Sequence, residues 1–403
     1  MFKLLVLCSI GVAGAEDAVS LTTVDAASPT TLGLLFLSPW WYGPPVGSKW
    51  AYPEVYASFL LAIHEANASD AILPGINLVG DYGLTDCSAL TGADAVDGWT
   101  RPMGERAGFV GPCCSDTAIG ASYASVSSES GATAMLSYSA TTKDLSDKSK
   151  FPLFSRAMAP DDEAIVALVA AFEVLEYTSV GVIYDQYDPF YYNLYADLMQ
   201  LTSNRVAVTL PCGPVEPDMV EETMEQLKVS WALQVAGSST GRNVRVWCIF
   251  ANNFLLAAFT EWVAEEYPDI FGDYLFVAGT STTQASLLDD LQLLNPQEVI
   301  SDTSTFGPDL IARFPESMRE YLPSGFSGAN GTAGARYPHR YAAYAYDATV
   351  AMILAVHDAV ESGALNQNGA PDGYAVSDFL RNRTIADAYT AVWNPNRFKI
   401  PST

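Results

Sequence analysis

Two doubly wound parallel-sheet lobes of the α/β class are what the sequence predicts, on three observations. Short apolar runs alternate with longer amphipathic ones along most of the chain, which is the rhythm of strands and crossover helices in a parallel sheet. The strand runs are apolar throughout rather than at every second residue, as strands must be when helices cover both faces of their sheet. The alternation runs through two successive series, and 403 residues leave room for about two or three domains.

The first series opens with TLGLLFLSP (31–39), a buried strand. An aromatic, Pro/Gly-rich loop containing Trp40, Trp41 and Tyr42 leads to the amphipathic helix YASFLLAIHEAN (56–67). INLVGDYG near residue 80 is the second strand and AGFVGP (107–112) the third, running into a helix from Ser115. AMLSYSA (134–140) is the fourth. The second series has a helix over 163–175, strand SVGVIYD (179–185), a helix over 191–201 and strand RVAVTL (205–210). It continues with a helix over 218–233, strand VRVWCIFA (244–251), a helix over 254–266 and strand YLFVAG (274–279). From about 300 to 335 the pattern loosens, and YAAYAYDATVAMILAVHDAV (341–360) is one long helix whose aromatics fill a core. No strong strand follows Ala391, which reads as a C-terminal truncation.

MFKLLVLCSIGVAGA places Lys3 before an apolar run and ends in Ala-Gly-Ala, so residues 1–15 read as a secretory signal peptide. No other stretch reaches the 18 or so apolar residues of a membrane span, because Glu173 and Asp347 interrupt the best candidates. The chain is expected to be secreted or on the extracellular face of the plasma membrane, with any membrane contact made through a domain it does not contain. The sequons at Asn67, Asn330 and Asn382 suit that route as glycosylation sites. With 46 acidic and 20 basic residues spread over the chain, the net charge of −26 repels polyanions, and nucleic acid is not an expected partner. Beyond Cys8 in the signal, Cys87, Cys113, Cys114, Cys212 and Cys248 are an odd number, so one thiol is left over. Cys212 and Cys248 fall on what read as neighbouring strands, within reach of a bridge.

In an open parallel sheet, ligands sit at the carboxyl ends of strands, where helix N-termini present free N–H groups. Ser115 stands at such a junction and equally suits the N-cap of its helix. Ser139 and Thr141 lie at the end of the next strand and, two apart, point the same way. The three hydroxyls can hold a carboxylate. Asp161, in PDDEA before an apolar helical run, is either a helix cap or a ligand partner.

The runs GFVGPCCSDTA (108–118) and LSYSATTKDLSDKSKFPLFSRAMAPDDEA (136–164) resemble the ligand-binding region shared by class C G-protein-coupled receptors, natriuretic-peptide receptors and bacterial amino-acid-binding proteins. The resemblance covers about residues 30–365. It implies a periplasmic-binding-protein type I fold, the Venus flytrap, with residues 29–156 and 306–403 in lobe 1 and 157–305 in lobe 2. It further implies a small-molecule ligand in the cleft, an amino acid or other carboxylate among the possibilities. Ser115 and Thr141 match the carboxylate positions, Ser139 lies beside them and Asp161 near the ligand's amino group. An acidic second-lobe position falls at Thr280, and a covering tyrosine is replaced around Asp188, Pro189 and Phe190, with Tyr187 or Tyr191 as substitutes. A Cys87–Cys114 disulfide in the first lobe and pairing of two chains, alike or different, through that lobe are also implied.

Enzymatic chemistry lacks its usual parts. The histidines are His64, His339 and His357, and no GxSxG, HExxH, CxxC, P-loop or GxGxxG follows a strand. No catalytic residue, metal or cofactor is expected. The function predicted is ligand binding that signals by lobe closure. The alternatives are a soluble solute-binding protein of the same fold, an interaction module with a degenerate cleft, and a hydrolase working with carboxylates alone.

Overall fold

The computed structural model describes residues 30–38, 53–127, 132–158, 160–213, 219–251, 253–278, 293–294 and 340–382. Two all-parallel sheets organise them. The first joins β1 (Thr31–Ser38), β2 (Asn77–Leu84), β3 (Arg106–Val110), β4 (Met135–Ser137) and β5 (Phe154–Arg156) in the order β2-β1-β3-β4-β5. The second joins β6 (Val180–Asp185), β7 (Val206–Cys212), β8 (Val246–Phe250), β9 (Leu275–Ala278) and the short β10 (Leu293–Leu294) in the order β10-β9-β8-β6-β7.

Each sheet is sandwiched because its strands are apolar on both sides. In β1, Leu32, Leu34 and Phe36 face a core shared with α1 (Pro53–Asn67) and the long α10 (Arg340–Glu361). Leu35 and Leu37 face the opposite core, under α2 (Ala89–Asp97) and α3 (Ser115–Ser127). The second sheet repeats the scheme. Ile183, Trp247, Ile249 and Phe276 pack beneath α6 (Val220–Trp231) and α8 (Asn253–Glu266), while Val180, Val182, Val246 and Val277 pack against α4 (Asp161–Val174) and α5 (Pro189–Thr202). Trp231 and Trp247 are fully buried with ring centroids 4.6 Å apart. Large apolar side chains such as these each stabilise a fold by roughly 1.5–3 kcal/mol. Short α7 (Ser239–Arg242) and α9 (Pro268–Phe271) complete this lobe. The chain passes from the first sheet to the second between Arg156 and Asp161, and α10 brings it back into the first core.

Besides the short α7, α9 and β10, the sequence pattern reveals no signal for α2, β5 and α11 (Gly373–Asn382), the last of which packs on α10 and β5. One element is shorter than its pattern predicts. The strand expected over 134–140 stops at Ser137, whose buried Oγ accepts the N–H groups of Ser139 (3.1 Å) and Ala140 (2.7 Å) and donates to the Pro112 carbonyl (2.6 Å). A side chain that captures two backbone donors removes them from the sheet ladder.

Two local features hold the first sheet's ends. Gly111 has φ +101° after β3, and a Cβ there would stand 2.3 Å from the Leu37 carbonyl oxygen, so only glycine fits the turn into α3. At the start of edge strand β2, the Asn67 amide closes a two-point contact with Leu78: Nδ2 donates to the Leu78 carbonyl (2.9 Å) and Oδ1 accepts the Leu78 N–H (2.8 Å).

Candidate functional site

The carboxyl ends of β3 and β4, the start of α3 and the crossing into α4 and α5 converge on one region. Ser115 is the first residue of α3 and half-buried. Its Oγ accepts the Thr142 N–H at 3.2 Å, which ties the helix start to the segment leaving β4. That oxygen keeps its own proton to donate. Ser139 is half-buried and Thr141 buried, but both lie beyond the strand, so the alternation argument that aimed them together does not apply to them. Thr141 is instead bound to Asp161. Its carbonyl accepts the Asp161 N–H at 3.0 Å and its hydroxyl bonds the Asp161 carboxyl.

Asp161 is 4% exposed at the first turn of α4. Burial pushes its pKa up to about 7; the Thr141 hydrogen bond and Arg156 oppose the rise, and Asp162 and Asp197 add to it. Arg156 spends one N–H on the Thr142 carbonyl at 2.8 Å. Lys143, in the short helical turn after Thr142, forms an ion pair with the buried carboxylate of Asp197 in α5, a strut from the first lobe to the second. The other oxygen of Asp197 is buried without a hydrogen-bond partner.

Further carboxylates face the same junction. Asp116 follows Ser115, and partial burial raises its pKa. Asp188 caps α5 by accepting the Phe190 N–H at 2.8 Å. Burial raises it first; the backbone bond opposes, and Asp185 and Asp116 push it further. Asp185, at the end of β6, accepts the N–H groups of Tyr187 (2.8 Å) and Asp188 (3.1 Å). Of the two tyrosines expected to cover a ligand, Tyr191 is core and Tyr187 is 66% exposed. Asp116 and Asp197 are not singled out by the sequence, which marks Asp188 only as part of the segment that replaces the covering tyrosine. Asp116 beside Ser115 and the Asp188-Pro189 helix start were legible signals, whereas the Lys143–Asp197 pairing is not local and left none. Thr280, Asn330, Trp40, Trp41 and Tyr42 lie outside the described residues, and Asn382 is an exposed helix end.

Cys87 and Cys114 form a disulfide with Cα atoms 5.2 Å apart, fastening the loop after β2 to the start of α3. The bridge expected of Cys212 and Cys248 is not made, and both are buried free thiols. Strand β6 lies between theirs, and they align with its residues Asp185 and Val182. Two strand spacings of about 4.8 Å, with an offset along the strands, exceed the ~7 Å that a disulfide spans. They also belong to cores on opposite faces of the sheet. Among the described residues, the one group of side chains at metal-ligand spacing is Cys87, Cys113 and Cys114, two of which are already bonded to each other.

A cavity of about 600 Å³ opens elsewhere, on the first lobe beside Asp81, Asp94, Trp99 and Arg101. Its Arg101 and Asp81 are matched: Arg101 meets both oxygens of Asp81 (2.6 and 2.9 Å) and Glu105 (3.1 Å), and Trp99 Nε1 donates to Asp81 at 2.8 Å. Burial alone would raise the Asp81 pKa, and these bonds bring it below the usual carboxylate value.

Residues 54–388 match the model of the family described as the receptor family ligand binding region. The chain belongs to that family. Its two parallel-sheet lobes are the periplasmic-binding-protein type I fold found in the ectodomains of class C G-protein-coupled receptors. A receptor ligand-binding region is a binding domain, typically extracellular, whose ligands are small molecules. Among the described residues, no helix is long and apolar enough to cross a membrane. No curated protein matches the chain.

Proposed function

We propose that this chain is the extracellular ligand-binding module of a membrane receptor, and that a small amine-bearing ligand, an amino acid among the candidates, shifts its two lobes toward a closed form. Ser115, Ser139 and Thr141 from residues 29–156 meet the ligand first, Asp161 takes its ammonium group, and the lobe of residues 157–305, with Thr280, completes the cleft. The observation that carries the reading is Asp161, buried at the start of α4 and bound to Thr141, together with Asp116 beside Ser115 and Asp188 near it, all with raised pKa values that a bound cation would relieve. A ligand that prefers the closed arrangement shifts the population to it, and that motion is the signal. Two chains pair through the first lobe, where Leu90, Tyr123 and Val126 of α2 and α3 are exposed apolar side chains. The secretory signal of residues 1–15 delivers the module outside the cell.

A thermal-shift panel of amino acids, simple amines and simple carboxylates tests the assignment, because a ligand that binds only the folded state at about 100 times its Kd adds roughly 2.7 kcal/mol of stability. Amine-bearing compounds should raise the Tm by a few degrees, and Ser115→Ala and Thr141→Ala should each abolish the rise. A response to amine-free carboxylates alone, or one that survives in both variants, refutes the site.

A further inference from the structure

Cys113 carries a thiol that the Cys87–Cys114 bond does not use, yet it lies against that bond. Its Sγ is 3.3 Å from Sγ of Cys114, and the three sulfurs lie within 4.8 Å of one another. Cys87 is exposed in the loop after β2, with φ at 67°. Cys113 is 8% exposed and packed among Val110, Tyr138 and the apolar face of α10.

We propose that these three sulfurs are a thiol–disulfide exchange site in which Cys87 alternates between Cys114 and Cys113. In the exchange, Cys113 gives its proton to water and its thiolate attacks Sγ of Cys87. The Cys87–Cys113 bond forms, the Cys87–Cys114 bond breaks, and the electron pair leaves on the Cys114 sulfur, which takes up a proton. One disulfide and one thiol remain, so no oxidant or reductant is consumed. Attack on Cys114 instead would join adjacent residues, whose Cα atoms are about 3.8 Å apart across a trans peptide, below the ~4.4 Å at which ordinary disulfides begin. Cys87 is therefore the sulfur attacked, and Cys113, which lies nearer Cys114 in the closed segment, reaches the far side of Cys87 as the segment opens.

Burial holds the Cys113 thiol at a pKa of about 12, so the native pairing persists and exchange waits on opening of the segment. Its consequence falls on α3. Cys114 directly precedes Ser115, and moving the tether to Cys113 frees the residue that anchors the helix start while drawing Cys113 out of its apolar core. On the reading of Ser115 as a ligand contact, the covalent state of Cys87 regulates the site. The exchange itself does not depend on that reading.

Disulfide mapping by mass spectrometry under acid quench tests it on the secreted chain, after reduction and reoxidation in a glutathione buffer. Wild type should yield fragment ions, split between the adjacent Cys113 and Cys114, for both the Cys87–Cys114 and the Cys87–Cys113 linkage, and Cys114→Ser should yield Cys87–Cys113 with no alkylatable Cys87. Cys113→Ser, the control, should retain Cys87–Cys114. Exclusive Cys87–Cys114 in wild type, or Cys87 and Cys113 both alkylated in folded Cys114→Ser, overturns the proposal. Ligand affinity is measured separately on the two disulfide isomers, so failure of the ligand assignment leaves the mapping result standing.

Discussion

The cavity beside Arg101, on the first lobe, and the junction around Ser115, where the two lobes meet, both gather acidic side chains, and they differ in what those charges meet. At the cavity, Asp81 is saturated by Arg101 and Trp99 and its pKa is lowered. At the junction, Asp161, Asp116 and Asp188 are raised by burial, and Asp161 and Asp188 by like charge as well. The cavity therefore marks a completed structural ion pair, and the junction holds the unbalanced electrostatics. Perturbed titration in a crevice is a better guide to binding than volume.

The largest effect expected from this contrast belongs to Asp161. Its pKa is 3.8 unfolded and about 7 folded, so below pH 4 both states hold the proton and the group contributes nothing. Between about pH 4 and 7 the unfolded chain ionises first and stability falls; above 7 both states are charged and the loss is complete. Asp161→Asn should flatten that window in urea titrations. It should also leave the variant more stable at pH 8 by on the order of 2–4 kcal/mol, since a tenfold change in proton affinity corresponds to about 1.4 kcal/mol. Equal pH dependence in variant and wild type would place the source elsewhere.

The cavity should respond with the opposite sign. Asp81→Asn leaves the Arg101 guanidinium, 14% exposed, short of its main partner, and a loss of about 1–3 kcal/mol should show in the denaturant midpoint at pH 7. The response to amines should be unaltered; loss of ligand response with intact folding would make the cavity the better site. The smallest change is Asp188→Asn. Asparagine keeps an oxygen for the Phe190 N–H and is as good a cap, so stability should move by less than about 0.5 kcal/mol while the affinity for an amine falls. An affinity that stays constant would remove Asp188 from the site.

Much of the fold was legible because its strands are uninterrupted apolar runs: β1, β6 and β8 stand where their patterns put them. What escaped lacked such a pattern. Helix α2 (ALTGADAVD) has only two apolar side chains larger than alanine, Leu90 and Val96, and is started by Ser88, whose side chain accepts the Thr91 N–H. Strand β5 is three residues long and exists through its pairing with β4. Ser137 shortened β4 by a hydrogen-bonding choice that periodicity does not encode. At the site, Ser115 and Asp161 were legible from the strand-to-helix junctions they occupy. The partners that shift their chemistry, Asp197 and Lys143 among them, come from segments far apart in the chain.

The pairing of Asn67 with Leu78 has a consequence for the sequon it belongs to. Sugar attachment turns the side-chain amide into a secondary amide, whose trans form is favoured by roughly 2.5 kcal/mol and sets the substituent on the same side as Oδ1. That is the side from which Nδ2 donates to the Leu78 carbonyl while Oδ1 accepts the Leu78 N–H. A glycan at residue 67 and the closed edge of β2 thus compete for one hydrogen position, and a chain that keeps this edge closed keeps Asn67 bare.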